Sequence, residues 1–170
     1  MKKYLISLIV FVLIGIYSCQ EQQVSKQYFE ASPEIDMVDT LIEAYLNQDW
    51  ETYRSNYSDT VRIWSNGWPG DDDPGMTIDE DLEDMKTSIS SFYSYSFEEK
   101  IIDMIISNDG QKYVLFWGKW TGKLTEDGDE LVIPVHLVFE FVDNKIVYEY
   151  GFWDNLSIYL ARQALEKEDK

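Results

Sequence analysis

Apolar and polar side chains alternate along two neighbouring stretches near the C-terminal end, residues 131–142 and 145–153. A period of two is typical of β-strands, in which successive side chains point to opposite faces. The two residues between these stretches, Asp143-Asn144, suit a tight hairpin turn that pairs Phe141 with Ile146. This pairing predicts that one face of the sheet carries Val135, Leu137, Phe139, Phe141, Ile146, Tyr148, Tyr150 and Phe152.

Asp154 continues the same parity, so the predicted apolar wall ends in a carboxylate. Desolvation beside such a wall raises the pKa of a carboxyl group, which makes Asp154 a candidate catalytic acid or base. The alternative is that Asp154 caps the helix that starts there. Tyr148 and Tyr150 are candidate hydrogen-bond donors to a ligand, with ordinary core packing as their alternative.

Helical periodicity dominates the chain before these strands. Residues 33–47, 49–57 and 77–89 repeat apolar side chains at helical spacing, and Ser32-Pro33 is a typical helix start. Strands are predicted at 61–64, 95–107, 111–121, 131–142 and 145–153, and a last helix follows them. This order predicts one α+β domain over residues 32–170, a curved antiparallel sheet with helices packed on its concave face.

Residues 1–18 have the pattern of a secretory leader, with a basic start and an apolar run from Tyr4 to Tyr17. The run is too short to span a bilayer comfortably and suits a signal peptide. Its end, Ile16-Tyr17-Ser18-Cys19, resembles a bacterial lipobox. The resemblance implies cleavage before Cys19 and lipidation of its thiol, with residues 19–31 as a tether. The alternative is an ordinary secretory signal with a chance cysteine.

Charge and cysteine content narrow the set of partners. The chain has 32 acidic and 14 basic residues, a net charge of −18, which argues against nucleic acid and against electrostatic binding to anionic headgroups. The predicted membrane contact is therefore the lipid anchor only, at the outer membrane or surface of the bacterial cell envelope. Cys19 is the single cysteine, so the domain has no internal disulfide.

The sequence shows no residue spacing typical of a zinc site, no phosphate-binding loop and no catalytic triad. The run Asp71-Asp72-Asp73 lacks the alternating ligands of a calcium loop, so an exposed acidic turn is its default interpretation. The sequence therefore predicts neither a metal nor a cofactor.

His136 is the single histidine of the chain, so it is the first candidate for a general base. Its parity is opposite to that of the apolar face, so we expect it on the polar outer face with Glu140. The hairpin pairing places Glu149 on that outer face as well. A β-bulge near Gly151 is the feature that would reverse this interpretation.

The tryptophans are candidates for stacking on a ligand. Trp117 and Trp120 lie on opposite faces of one strand, and the pattern does not decide which faces inward. Trp64 and Trp68 flank a turn-rich loop, where they either stack on a flat ligand or hold the loop in place. The predicted ligand-binding residues are Leu137, Phe139, Tyr148, Tyr150, Phe152, Trp64 and Trp117.

Four segments resemble the nuclear transport factor 2-like superfamily and, within it, the SnoaL-like and ketosteroid-isomerase-like branch. They are the helix pair at 41–51, Trp120-Thr121-Gly122, the hairpin at 139–146, and Phe152-Trp153-Asp154-Asn155-Leu156. The resemblance covers about residues 33–165. It implies a cone-shaped sheet with a helix-lined pocket, and pairing of two copies through the sheet.

The resemblance also implies a role for Asp154, because enzymes of the SnoaL-like branch often place a working acid at the matching position. Isomerases of this superfamily carry carboxyl groups on the strand matching 135–141. Here the inward positions of that strand are all apolar, which argues against a dienolate-type isomerase.

Three functional hypotheses follow from these patterns. The first is a lipid-anchored SnoaL-like domain that binds a small, mostly apolar or aromatic molecule. The second is an enzyme of the polyketide-cyclase or isomerase type, with Asp154 as the acid or base and Tyr148 or Tyr150 stabilising an oxyanion. The third is a dimeric interaction module that binds a protein through the outer face of its sheet.

Replacement of the predicted lipidation site tests the membrane anchor. We expect Cys19→Ser to release the chain from the membrane fraction, because the acyl chains of a lipid anchor contribute about 0.8 kcal/mol for each buried CH₂. Fractionation of cells that express each form, followed by immunoblotting, measures the effect. Unchanged membrane retention of the variant would contradict the lipoprotein hypothesis.

Overall fold

The computed structural model describes residues 27–70 and 72–168, so the predicted leader and Cys19 lie outside the described residues. Within that part of the chain, no helix is both long and apolar enough to cross a membrane. The elements in chain order are β1 (Tyr28–Phe29), α1 (Pro33–Leu46), α2 (Trp50–Ser55), β2 (Tyr57–Ser65), α3 (Ile78–Ile89), β3 (Ser94–Ile106), β4 (Lys112–Lys123), β5 (Leu131–Val142), β6 (Lys145–Trp153) and α4 (Leu156–Glu168).

The strands form one open six-stranded sheet in the order β1–β3–β4–β5–β6–β2. Strands β3 to β6 are the predicted antiparallel meander. Strand β2 runs parallel to β6, which makes the sheet mixed, and it begins at Tyr57, where the sequence predicted the end of a helix. Strand β1 pairs with the edge of β3 within the segment predicted as a tether.

Local capping determines where the helices begin, as the sequence predicted. The Ser32 hydroxyl accepts a hydrogen bond from the Ile35 amide at 3.2 Å, with Pro33 in the first helical position. The Asp49 carboxylate caps α2 in the same way. Thr77 and Glu80 form a reciprocal capping box at the start of α3.

The hydrophobic core lies between one face of the sheet and the helices α1 to α3, which confirms the predicted α+β architecture. Fully buried side chains come from both layers: Val38, Leu41, Val61, Ile63, Ile78, Val114, Phe116, Phe139 and Ile146. The face of the sheet that packs against this layer is called the inner face below, and the opposite face is the outer face.

A β-bulge at Val147 decides which residues of β6 reach the inner face. Phe141 pairs with Ile146 as predicted, but Glu140 pairs with Tyr148, so Val147 is an extra residue without a partner on β5. One extra residue reverses the facing of the rest of the strand. Glu149 therefore lies opposite Phe139 and points inward.

The predicted inward facing of Tyr148, Tyr150 and Phe152 is wrong for the same reason. These residues pair with Glu140, Val138 and His136, which belong to the outer face. A strict period of two cannot show a bulge, because the pattern counts residues along one strand and contains no information about its partner.

Candidate acid–base site

A cavity of about 200 Å³ lies between the inner face of the sheet and the helices. An apolar cavity of roughly 150 Å³ accepts a molecule the size of benzene, so this space suits a compact molecule of one or two rings. Leu137 and Phe139, two of the predicted ligand-binding residues, line it, and so does Trp120. Its wall is mostly apolar, with a small number of carboxyl and phenol groups.

Glu149 is the most deeply buried carboxyl group on this wall, with 6% of its surface exposed. Burial is the largest influence and raises the pKa of its carboxyl group well above the usual value, and repulsion from Asp81 adds to the effect. The hydrogen bond from Tyr57 acts in the opposite direction and is the smaller influence. Glu149 is therefore a carboxyl group that exchanges its proton near or above neutral pH.

Two tyrosines hold Glu149 in place. The Tyr57 hydroxyl lies 2.5 Å from Glu149 Oε2 and 3.0 Å from the Tyr53 hydroxyl. Because a phenol has one proton, Tyr57 donates to the carboxylate and accepts from Tyr53. Burial raises the pKa of both phenols well above 10, so both remain protonated donors. The result is a chain of hydrogen bonds that ends on the carboxylate.

Asp81, on α3, is the second buried carboxyl group of the cavity wall, with 8% of its surface exposed. Its Oδ2 atom is buried and has no hydrogen-bond partner. Burial raises the pKa of Asp81, and the neighbouring carboxylate of Asp84 raises it further. The charge of Asp81 in turn raises the pKa of Glu149 by repulsion.

Neither carboxyl group was predicted as a site residue from the sequence. Asp81 had a detectable signal, because it lies three residues after Ile78 and four before Met85, on the apolar stripe of a helix. An acidic residue on such a stripe is unusual and marks a site. Glu149 had no such signal, since its position depends on the bulge at Val147.

Tyr45 places a phenol on another part of the wall. Its hydroxyl oxygen accepts a hydrogen bond from Trp120 Nε1 at 3.2 Å. Burial raises the pKa of Tyr45 to about 12, so the group keeps its proton at neutral pH. That proton is suited to a hydrogen bond with an oxygen atom of a bound molecule.

Asp154, the acid favoured from the sequence, is exposed to solvent. Its Oδ1 atom accepts a hydrogen bond from the Leu156 amide at 2.8 Å, at the start of α4. Trp153 and Asn155 line the cavity on either side of it in the chain, but Asp154 does not. This geometry is that of a capping residue, the alternative that the sequence left open.

The remaining predicted ligand-binding residues lie outside the cavity lining. Trp64 is buried and stacks on Tyr150 with ring centroids 5.4 Å apart, while Gly75 of the turn-rich loop packs against its other side. Trp117 is 51% exposed on the outer face, whereas Trp120 faces inward. Tyr148, Tyr150 and Phe152 share the outer face with Trp117 because of the bulge.

His136 lies on the outer face, as its parity predicted. Its ring stacks on Trp117 with centroids 3.7 Å apart, and Phe152 lies on the other side at 6.3 Å. The Nδ1 atom is 3.0 Å from the carbonyl oxygen of Phe116. His136 therefore lies on the opposite side of the sheet from Glu149 and the cavity.

Across residues 27–70 and 72–168, no three His, Cys, Asp or Glu side chains converge as ligands for a metal ion. Asp73 Oδ1 accepts a hydrogen bond from the Gly75 amide, so it takes part in the geometry of the turn. Asp71 of the same acidic run lies outside the described residues.

Replacement of Glu149 by a neutral side chain tests whether burial raises the pKa of its carboxyl group. The folded state prefers the protonated carboxyl, because its pKa is raised above the unfolded value of about 4.3. The free energy of unfolding of the wild type therefore falls as the pH rises from the unfolded-state pKa to the raised pKa of the folded state. Glu149→Gln has no ionisable group at this position and does not show this decrease. We expect the variant to gain roughly 2 kcal/mol over the wild type at alkaline pH, and little at acidic pH.

Urea unfolding of both forms across this pH range measures the difference. Glu83→Gln is the matched control, since Glu83 is exposed on α3 and does not line the cavity. It removes one negative charge without changing the buried pair. A stability difference for Glu149→Gln that does not change with pH would contradict the assignment.

Comparison with known proteins supports the fold. No protein-family model and no curated protein matches the chain. Among solved structures, the proposed polyketide cyclase IdmH from Streptomyces antibioticus matches with a TM-score of 0.56 and 15% identity, over 78% of this chain and 99% of that one. A proposed SnoaL-like polyketide cyclase from Jannaschia sp. CCS1 matches with a TM-score of 0.57 and 14% identity, over 77% and 94%.

TerC, crystallised with polyporic acid, matches with a TM-score of 0.57 and 14% identity, over 76% of this chain and 98% of that one. These matches cover most of both chains, at identities that establish the fold alone. The chain thus has the fold of the SnoaL-like proteins, as its sequence motifs predicted.

Proposed function

We propose that this chain binds a small, mostly apolar cyclic molecule in its cavity and moves a proton at a carbon next to a carbonyl group. The observation that carries the proposal is Glu149, a buried carboxyl group on an apolar wall whose proton affinity is raised by its surroundings. Acid–base catalysts work best when their pKa lies near the operating pH, and burial is the usual means of raising that of a carboxyl group.

The chemistry divides between two groups. Glu149 takes a proton from the carbon, and the electrons of the C–H bond shift to form an enolate whose negative charge lies on the substrate oxygen. The Tyr45 phenol, which stays protonated, donates a hydrogen bond to that oxygen. Glu149 then returns the proton to the same carbon or to another one, which completes an isomerisation or prepares a ring closure.

The Tyr53–Tyr57 chain positions Glu149 for this step. Its hydrogen bond fixes one carboxyl oxygen and stabilises the ionised form that remains after the proton is returned. The fold neighbours support the reaction class, since two are described as proposed polyketide cyclases and a third was crystallised with polyporic acid. Glu149 and Tyr45 replace Asp154, Tyr148 and Tyr150 in these roles.

We also propose that Cys19 anchors the domain to the bacterial cell envelope by lipidation. The support comes from the sequence of residues 1–19, with its basic start, apolar run and lipobox-like end. The described domain suits this arrangement, because a body with a high negative charge stays clear of an anionic membrane.

Deuterium exchange tests the proton transfer directly. The probe is 1-indanone, a bicyclic ketone with acidic protons next to its carbonyl group, incubated with the chain in D₂O and followed by proton NMR. We expect the wild-type chain to accelerate exchange over buffer, and Glu149→Gln to reduce the acceleration about 100-fold or more, because the general base is lost.

Glu83→Gln serves again as the control and is expected to exchange at the wild-type rate. Tyr45→Phe removes the proposed oxyanion donor and keeps the ring, so we expect a partial loss. Equal rates for the wild type and Glu149→Gln would overturn the catalytic proposal.

We propose in addition that two copies pair through the outer face. A row of side chains crosses four strands there, from Ile101 through Trp117 and His136 to Phe152, and three of them are 60%, 51% and 37% exposed. Apolar side chains in such a contiguous row are typical of a contact surface. On a chain with a net charge of −18, this row contains no carboxylate, which limits the repulsion between two copies.

Sedimentation velocity tests the pairing. We expect the wild type to sediment as a dimer and Trp117→Glu as a monomer, because the variant buries a carboxylate at the centre of the contact. Leu160→Glu, at an exposed apolar position on α4, is the matched control and should remain dimeric. A monomeric wild type at micromolar concentration would refute the proposal.

A further inference from the structure

The cavity wall has charged groups of one sign only. Asp81 and Glu149 line it at depth, and Asp84 lies beside Asp81 on the same helix. Within the described part of the chain, no lysine, arginine or histidine lines this cavity. A ligand that carries a carboxylate would therefore meet repulsion here without any compensating cation.

The two buried carboxyl groups have different surroundings. Glu149 receives the hydrogen bond of Tyr57 and is held at one end of the tyrosine chain. Asp81 has a buried oxygen that receives no hydrogen bond at all. A buried polar group without a partner is costly, so the Asp81 carboxyl group on the cavity wall favours a hydrogen-bond donor placed beside it. The missing partner of Asp81 is a hydrogen-bond donor.

Aromatic rings surround the same space. Tyr45, Phe92, Phe97 and Trp120 all line the cavity, and the Phe92 ring meets Trp120 edge-on at 5.0 Å. The faces of aromatic rings attract organic cations, most strongly where water is excluded. A carboxylate in need of a donor and a wall of aromatic rings are together the features that recognise a protonated amine.

From this combination we infer that the ligand of the cavity is a compact apolar molecule with a basic amine, and that its ammonium group binds at Asp81. Asp84 strengthens the local negative potential, and the overall negative charge of the chain raises the concentration of cations near its surface. This inference rests on the proposed function and deepens it, since Glu149 and Tyr45 remain available for the proton transfer.

The Asp81 carboxylate and the amine form a charge-assisted hydrogen bond, which is about twice as strong as one between neutral groups. A neutral hydroxyl group would also satisfy the unpartnered oxygen, but it would leave the repulsion among the three carboxyl groups unrelieved. The charge of the ligand is therefore the property that distinguishes this inference from a simple requirement for a donor.

Three ligands that share one ring system provide the test: 2-aminoindane, 2-indanol and indane-2-carboxylic acid. Isothermal titration calorimetry with the purified full chain at neutral pH measures each dissociation constant. We expect the amine to bind about 10- to 100-fold more tightly than the alcohol, and the acid to bind most weakly.

Asp81→Asn identifies the group responsible. We expect it to weaken binding of the amine about 10-fold or more while binding of the alcohol stays within about threefold. The alcohol thereby shows that the variant is folded with its cavity intact. Glu83→Gln is the charge-matched control on the exposed side of the same helix and should leave both constants unchanged.

The outcomes separate this inference from the proposed function. Equal binding of amine and alcohol, or tighter binding of the acid, overturns the ammonium site and leaves the proton transfer to be judged by exchange of 1-indanone. If none of the three ligands binds, the ammonium site is overturned as well. Preference for the amine that is lost in Asp81→Asn supports it, even if exchange of 1-indanone is not accelerated.

Discussion

The structure depends on one extra residue in strand β6. The bulge at Val147 turns Glu149 from the outer face, where strict alternation would put it, to the wall beneath the helices. A carboxyl group in that position is costly unless it is protonated or hydrogen-bonded. The fold meets both conditions, because Tyr57 begins strand β2 beside β6 and donates to the carboxylate, while burial favours the protonated form.

The same bulge gives the two faces of the sheet their different characters. The inner face combines an apolar wall with a few titratable groups, which is the composition of a site for a small molecule. The outer face gains Tyr148, Tyr150 and Phe152, so that it carries these rings together with the buried Trp64 and the exposed Trp117. A shift of one residue thus supplies a carboxyl group to one face and aromatic side chains to the other.

Two carboxyl groups in one cavity acquire different properties from their surroundings. Glu149 is fixed by a chain of tyrosines from α2 and β2, whereas Asp81 stands on α3 without a partner for its buried oxygen. Environments of this kind separate the roles of chemically similar groups in acid–base sites. The cavity therefore has one carboxyl group positioned by hydrogen bonds from the protein and one whose buried oxygen receives none.

The sequence by itself determined the elements and their order. Helix starts at Ser32, Asp49 and Thr77, and the turn at Asp143-Asn144, follow from capping and turn chemistry that acts within a few residues. Only the tertiary structure decided the facing of β6, the parallel pairing of β2 and the meeting of Asp81 with Glu149. These features depend on contacts between distant segments, and the periodicity of one strand contains no information about a bulge that its partner strands stabilise.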